Sequence, residues 1–148
     1  MSISNMMELR FLAKAENEAL ARTAISALLV TADPPLSLIT EVRTAVSEAV
    51  TNAIVHAYAA DQNGYVLLRA CMHDDRIELD VEDQGCGIED IRLAMQPFYT
   101  SQPERERTGM GFSLMQSFMD GVTVRSEPGN GTTVSMTKLL GNDAPDIM

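Results

Sequence analysis

The chain has 148 residues, 45% of them hydrophobic and 22% charged, which is long enough for one soluble globular domain with a substantial core. Its 11 basic and 21 acidic residues give a net charge of −10, which argues against a nucleic-acid-binding surface. No apolar run is long enough to span a membrane and the N-terminus lacks a signal-peptide pattern, so we expect a cytoplasmic protein without membrane contact.

Hydrophobic periodicity divides the chain into strands and helices. The predicted elements are a strand at 7–13, helices at 16–30 and 36–58, strands at 65–72 and 77–82, a helix at 112–119, and a hairpin of strands at 122–124 and 133–139. Leu20, Ala24 and Leu28 are expected to form one face of the first helix. This order predicts a two-layer α/β sandwich, with helices on one face of a mixed, mostly antiparallel sheet. We expect a single domain at 1–140 and a flexible tail at 141–148.

Three polar residues recur at helical spacing within the second predicted helix. Glu48, Asn52 and His56 are at i, i+4 and i+8, so they form one stripe along an α-helix, and apolar residues flank it. A polar stripe beside a core face indicates a ligand site, and a solvated helix face is the alternative. The carbonyl oxygen of Asn52 is a suitable ligand for Mg²⁺ beside a triphosphate. Glu48 could polarise a water or accept a hydroxyl proton, and His56 is expected to have a supporting role.

A glycine-rich segment follows the strand at 77–82. Asp83 ends that strand and precedes Gly85 and Gly87. Glycines let the backbone approach a flat ligand closely, and a carboxylate at this point can accept a hydrogen bond from an exocyclic amine such as N6 of adenine. An aspartate that only stabilises a turn is the alternative interpretation. Cys86, between the two glycines, is expected to be a free thiol.

A second glycine pair precedes the third predicted helix. Gly109 and Gly111 lie where the free N–H groups of a helix start could bind phosphates, and a plain turn is the alternative. A long loop is predicted at 88–108, and it ends in a run of alternating glutamates and arginines. Arg105 or Arg107 could stabilise charge on a γ-phosphate. A solvated patch of charges is the alternative, and it is weaker for Arg107.

The order of these motifs resembles a known superfamily. Glu-x-x-x-Asn at 48–52, Asp-x-Gly-x-Gly at 83–87 and Thr-Gly-Met-Gly at 108–111 are similar to the N, G1 and G2 boxes of the GHKL ATPases and kinases, which include histidine kinases and MutL proteins. The resemblance implies the Bergerat ATP-binding fold, with ATP or ADP and Mg²⁺ as ligands. It extends the phosphate site to Thr108, and it implies that Thr132 supports the adenine through its hydroxyl and a water.

Within this superfamily the chain resembles the anti-sigma serine kinases of spore-forming bacteria, and among them the branch that acts on sigma factor F. The likeness covers nearly the whole chain and is strongest at 46–54, 96–112 and 118–120. A histidine kinase needs a phosphoacceptor histidine on a dimerising helical hairpin, and no segment of this sequence offers one. The phosphate acceptor is therefore expected to be another molecule.

That resemblance implies a homodimeric protein serine/threonine kinase that inhibits sigma factor F and phosphorylates a serine of the anti-anti-sigma factor. It makes Arg22 a candidate contact to both partners. Glu48 and Arg107 are the expected catalytic residues, and Asn52 is the expected metal ligand. The expected nucleotide-binding residues are Asn52, Asp83, Gly85, Gly87, Thr108, Gly109, Gly111 and Thr132.

Two other functions remain open at this point. One is a stress-response anti-sigma kinase of the same fold, which would have a different sigma factor as its target. The other is a non-catalytic binding module gated by a nucleotide. Glu48 and Asn52 favour the enzyme, because a protein that only binds needs no general base.

Overall fold

The computed structural model describes residues 3–57, 64–88, 91, 95 and 111–141. Its strands form one five-stranded sheet in the order β1-β2-β3-β5-β4, and each pairing between neighbours is antiparallel. The strands are β1 (Asn5–Leu12), β2 (Tyr65–Met72), β3 (Arg76–Asp83), β4 (Gly121–Ser126) and β5 (Thr132–Leu139). The short turn-forming segments between β2 and β3 and between β4 and β5 close two antiparallel hairpins.

Three α-helices whose bounds fall within the described residues pack beside this sheet. They are α1 (Asn17–Val30), α2 (Leu36–Asn52) and α3 (Gly111–Phe118). The α2 helix begins directly after Pro34 and Pro35, where the fixed φ of proline suits a helix start, and the Pro35 carbonyl accepts hydrogen bonds from the N–H groups of Leu38 and Ile39. None of the helices in the described part of the chain combines the length and apolar character needed to cross a bilayer.

The core lies between the helices and one face of the sheet. Alternate residues of β2 and β3 are buried, because successive side chains of a strand point to opposite faces. The buried side chains of the sheet and of the helices belong to one hydrophobic cluster. The predicted two-layer α/β sandwich with a mostly antiparallel sheet is therefore confirmed.

The buried face of α1 differs from the sequence-based expectation. Leu20 is 47% exposed, and the buried residues of the helix are Ala21, Ile25, Leu28 and Leu29. Both sets repeat at helical spacing, and α1 carries few charged residues that would mark its solvent side. The packing of α1 against α2 selects the face that includes Ile25, which fills the core better than Ala24.

The second helix also differs from its predicted extent of 36–58. Its α-helical part ends at Asn52, and a π-helix follows at Ala53–Ala57. A π-helix has more residues per turn, so the angular spacing that placed His56 in line with Glu48 and Asn52 does not apply beyond Asn52. The side chain of His56 lies outside the described part of the chain.

The C-terminal end of α3 is attached to the rest of the fold by Lys138 of β5. The Lys138 ammonium donates a hydrogen bond to the Phe118 carbonyl at 2.5 Å and forms an ion pair with Glu41 of α2 at 3.0 Å. Asp120, just beyond the helix, accepts a hydrogen bond from the Leu139 N–H at 2.7 Å. These contacts join α2, α3 and β5 at one end of α3.

Candidate functional site

Gly111 brings the start of α3 against the polar side chains of α2. A Cβ atom built on Gly111 would lie 3.2 Å from both Nδ2 and Oδ1 of Asn52 and 3.4 Å from Oε1 of Glu48. The first residue of α3 therefore lies close to both side chains. The structure thus brings together Glu48, Asn52 and Gly111, three residues that the sequence assigned to one site from segments about 60 positions apart.

Asp83 forms the second part of the candidate site, at the end of β3. It is 6% exposed, and its Oδ1 accepts a hydrogen bond from the Gly85 N–H at 2.9 Å. Burial raises the pKa of Asp83 to about 6, although hydrogen bonds from the N–H groups of Gly85 and Thr132 oppose the rise. A buried carboxylate that titrates close to neutral pH is typical of a functional site.

The sheet places Asp83 in one row with Thr132 and Ser126. Asp83 pairs with Thr132 across β3 and β5, and Thr132 pairs with Ser126 across β5 and β4. All three side chains lie on the face of the sheet that the helices cover, as the alternating burial along each strand shows. The predicted proximity of Asp83 and Thr132 is therefore present in the structure.

Ser126 is a residue that the sequence reasoning missed. Its Oγ accepts a hydrogen bond from the Ile88 N–H at 2.8 Å, donates one to the Gly131 carbonyl at 2.9 Å, and lies 2.8 Å from Oγ1 of Thr132. The hydroxyl thus connects the segment after Gly87 to the β4–β5 hairpin. Its position immediately before a proline- and glycine-containing turn predicts the hairpin, and nothing in the sequence alone shows these contacts.

Two glycines allow that hairpin to approach the segment after β3. Gly131 has a φ of +87°, and a Cβ on it would lie 2.2 Å from the Asp83 carbonyl oxygen. Gly87 has a φ of +78°, and a Cβ on it would lie 2.1 Å from the Glu127 carbonyl oxygen. The sequence suggested that the glycines of 83–87 admit a ligand, whereas at Gly87 the close neighbour is the hairpin backbone. Both positions require glycine for packing and for conformation.

Arg22, the candidate partner contact, lies on α1 and is linked to α2. Its guanidinium is 3.6 Å from Oε2 of Glu18, and the same oxygen accepts a hydrogen bond from the Ser47 hydroxyl. Ser47 immediately precedes Glu48 in the sequence. The Arg22 side chain is 43% exposed, so it can reach another molecule while this network holds its position.

A concavity of about 410 Å³ lies at the ends of β3 and β5 and extends over the other face of the sheet. Asp83, Ser126 and Thr132 are among the residues that line it. Its wall also carries the carboxylates of Asp80, Glu82 and Glu127 and the guanidinium groups of Arg69 and Arg125. The carboxylates outnumber the two arginines, so this concavity does not suit the phosphates of the predicted nucleotide, although Asp83 and Thr132 at its border could contact the base. The start of α3, where Gly111 lies beside Glu48 and Asn52, is the better candidate for the phosphates.

Several predicted site residues lie outside the described part of the chain. They are Arg105, Arg107, Thr108 and Gly109, and the structure makes no statement about them. Among the described residues, no group of three or more His, Cys, Asp and Glu side chains could hold a metal ion. Asn52 and Glu48 supply oxygen atoms beside Gly111, which suits a hard cation that takes its other ligands from phosphates and water.

Comparison with known proteins identifies the family. A model of the histidine kinase-like ATPase domain matches residues 11–138. The anti-sigma F factor of Caldanaerobacter subterraneus subsp. tengcongensis is 50% identical over 143 residues, which cover 97% of this chain and 99% of the relative. The anti-sigma F factor of Clostridium perfringens is 48% identical over 138 residues, which cover 93% of this chain and 99% of the relative.

The chain belongs to the anti-sigma F factor family, within the histidine kinase-like ATPases.

Solved structures agree with this family at the level of the fold. The crystal structure of the RsbU and RsbW domains of a Mycobacterium tuberculosis protein matches 92% of this chain and 32% of that chain, with a TM-score of 0.66 and 19% identity. The histidine kinase domain of a blue-light-activated kinase from Erythrobacter litoralis matches 72% of this chain and 46% of that chain, with a TM-score of 0.53 and 27% identity. The histidine kinase-like ATPase fold implies nucleotide binding by this member of the anti-sigma F factor family.

Proposed function

We propose that this protein is an anti-sigma factor that holds sigma factor F inactive and, as an ATP-dependent serine kinase, phosphorylates a serine of the anti-anti-sigma factor. The names of its relatives support the sigma-factor target. The observation that carries the kinase activity is the convergence of Glu48 and Asn52 on Gly111 at the start of α3. We also propose that the protein acts in the cytoplasm, because the proposed partners are a sigma factor and its regulator.

In this proposal the nucleotide spans the two parts of the site. Asp83 accepts a hydrogen bond from the exocyclic amine of adenine, and Thr132 lies beside it in the same row. Because the Asp83 carboxyl is buried, that bond forms away from competing water. The phosphates lie at the start of α3, where Gly111 carries no side chain and the first N–H groups of the helix lack partners within it. Thr108 and Gly109 are proposed to extend this phosphate site.

Asn52 is proposed to hold Mg²⁺ through its side-chain oxygen. Bound Mg²⁺ would neutralise phosphate charge, which matters in a chain whose net charge is −10. The contact of the Asn52 amide with Gly111 fixes the side chain between α2 and the start of α3. Its oxygen is therefore positioned toward the place proposed for the phosphates.

Glu48 is proposed to act as the general base. The hydroxyl oxygen of the acceptor serine attacks the γ-phosphorus, the bond from that phosphorus to the bridging oxygen of ADP breaks, and the hydroxyl proton passes to the Glu48 carboxylate. Glu48 lies one helical turn before Asn52 on α2 and close to Gly111, so base and metal ligand share one rigid element. Arg107 is proposed to stabilise the charge on the γ-phosphate.

Arg22 is proposed to contact both protein partners. It is a half-exposed cation that Glu18 holds in place on α1. If both partners use it, sigma factor F and the anti-anti-sigma factor compete for one surface. We further propose that the protein acts as a homodimer, which light scattering on the purified chain would test.

The decisive experiment is a phosphoryl-transfer assay. The protein is incubated with radiolabelled ATP, Mg²⁺ and the anti-anti-sigma factor, and mass spectrometry identifies the labelled residue. Glu48→Gln should reduce the transfer rate by at least about 100-fold, which is within the usual contribution of a general base. Glu8→Gln is the matched control, because it makes the same change at an exposed position on β1.

The assay also separates the alternative functions. Sigma-factor binding that depends on a nucleotide, without any transfer to the acceptor, would establish a non-catalytic binding module and refute the kinase. Transfer to a stress-response antagonist, with no binding of sigma factor F, would move the protein to the other anti-sigma kinase branch.

A further inference from the structure

Ser126 makes an unusually complete set of hydrogen bonds for a single hydroxyl. It accepts one from the Ile88 N–H, donates one to the Gly131 carbonyl, and is 2.8 Å from Oγ1 of Thr132. It is the last residue of β4 and lies on the helix-covered face, in the row that contains Thr132 and Asp83. The chemistry of these partners fixes where the hydroxyl protons lie.

A carbonyl oxygen can only accept and an N–H group can only donate. The single proton of Ser126 is therefore directed to the Gly131 carbonyl, and one of its lone pairs accepts from Ile88. The remaining contact is satisfied only if Thr132 donates its hydroxyl proton to Ser126. Oγ1 of Thr132 is left with lone pairs and no proton to offer, so it can only accept a hydrogen bond from a ligand.

Asp83 imposes the same requirement from the neighbouring strand. Its ionised carboxylate has acceptors only, and the Gly85 N–H occupies one of the positions on Oδ1. A ligand edge that faces Asp83 and Thr132 therefore meets two acceptors, either directly or through a water. A purine with an amine at carbon 6 supplies donors, whereas a purine with an oxygen at that position presents a third acceptor.

We propose that Ser126 is a positioning residue that determines base specificity, because it commits the Thr132 proton and so selects a 6-aminopurine over a 6-oxopurine. The proposal rests on the proposed function, since it assumes that the base lies beside Asp83. Without the Ser126 hydroxyl, the Thr132 hydroxyl can rotate and donate a hydrogen bond to the oxygen of a 6-oxopurine. Asp83 is then the only one of the two acceptors that still disfavours that oxygen.

The test compares ADP and GDP binding by calorimetry for the wild-type chain, Ser126→Ala, Thr132→Val and the double variant. In Ser126→Ala the preference for ADP over GDP should fall by about 10-fold, the equivalent of one net hydrogen bond. In the Thr132→Val background the same serine change should leave the preference unaltered, because no hydroxyl remains to be oriented. Ser126→Thr should restore the wild-type preference, since it restores the hydroxyl.

Ser135→Ala is the matched control. Ser135 lies on the neighbouring strand β5, and its hydroxyl donates to Oδ1 of Asp80 at 2.6 Å on the opposite face of the sheet. This variant should keep the ADP preference of the wild type. Thermal unfolding of each variant shows which ones fold well enough for the comparison. If Ser126→Ala does not fold, Ser126→Cys replaces it, because a thiol is only a weak donor and acceptor and should also lower the preference for ADP.

Two results would overturn the proposal about Ser126, and a third would instead overturn the proposed position of the nucleotide. Equal loss of ADP and GDP affinity in Ser126→Ala would show that Ser126 only holds the hairpin. A serine effect on the preference that persists in Thr132→Val would show that it does not act through Thr132. If the wild-type chain binds ADP no more tightly than the Asp83→Asn variant, the base does not lie beside Asp83 and the nucleotide assignment itself fails.

Discussion

Gly111 and Asn52 are in such close contact that a methyl group on Gly111 would lie 3.2 Å from both terminal atoms of the Asn52 amide. One residue begins α3 and the other ends the α-helical part of α2. The position of the amide that is proposed to hold the metal therefore depends on the absence of a side chain on a different helix.

We expect Gly111→Ala to impair function more than stability. The added methyl must displace the Asn52 amide by a few tenths of an ångström, and alanine favours a helix over glycine by up to about 1 kcal/mol, so the effects on folding oppose each other. The transfer rate should fall by at least about 10-fold, because small misplacements of a metal ligand are costly. Gly121→Ala is the control, since its Cβ would meet only Thr137 at 3.9 Å.

Asn52→Ala should abolish the benefit of Mg²⁺ for ATP binding. In the wild-type chain ATP should bind more tightly with Mg²⁺ than with a chelator, and in the variant the two affinities should be equal. Transfer to the partner should fall by orders of magnitude, because the positioning of the metal is lost. An intact magnesium effect in the variant would assign the metal to other residues.

Asp83→Asn should make the free protein more stable above pH 6. The folded pKa of Asp83 is raised from 3.8 to about 6, so the protonated form is favoured in the folded state. The protonated Asp83 carboxyl therefore contributes fully to the folding stability below about pH 4, and this contribution is lost as the pH rises to about 6. The asparagine side chain does not ionise, so the variant avoids this loss of folding free energy, which is on the order of 2–3 kcal/mol at neutral pH. Urea unfolding at pH 4 and pH 7.5 measures the difference, which should appear only at the higher pH.

The same substitution should weaken nucleotide binding. Replacing the carboxylate would remove the proposed charge-assisted hydrogen bond to the base, and a loss of about 1.5–3 kcal/mol should lower the affinity for ADP by roughly 10- to 100-fold at pH 7.5. The wild-type affinity should decline as the pH falls below about 6, where Asp83 becomes protonated, and the variant should show no such decline. A wild-type profile that is flat between pH 5 and pH 7.5 would show that Asp83 is only a turn residue.

Arg22→Ala should separate partner binding from nucleotide binding. The side chain is 43% exposed and its ion pair with Glu18 spans 3.6 Å, so its removal should change stability by less than about 1 kcal/mol. The affinity for sigma factor F and for the anti-anti-sigma factor should both fall by at least about 10-fold in surface plasmon resonance, while ADP affinity is retained. Arg43→Ala, at an exposed position on α2, is the matched control.

The sequence predicted the fold well where apolar residues alternate with polar ones. The strand at 65–72 has the bounds of β2, and the alternation of 77–82 identified β3 to within one residue at each end. The contact between Glu48, Asn52 and Gly111 followed from helical spacing together with the resemblance of the motifs. These features depend on local patterns, which a sequence displays directly.

The features that the sequence did not predict depend on contacts between distant segments. The buried face of α1 was wrong at Leu20, because Leu20 and Ile25 both fit a helical stripe and only packing against α2 distinguishes them. The π-helix after Asn52 has no signature in residue type. Ser126 acquires its contacts from the register of β4 against β5, which brings it beside Thr132.

Lys138 has a consequence for how the site can respond to a ligand. It holds the last turn of α3 to α2 and β5 through Phe118 and Glu41, at roughly 10 Å from Gly111 for a helix of this length. A helix that is fixed at its C-terminal end moves mainly by rotating about that end. If phosphates bind at Gly111, as proposed, the movement available to α3 is a small tilt about its fixed C-terminal end, which would shift Gly111 against Asn52 and Glu48.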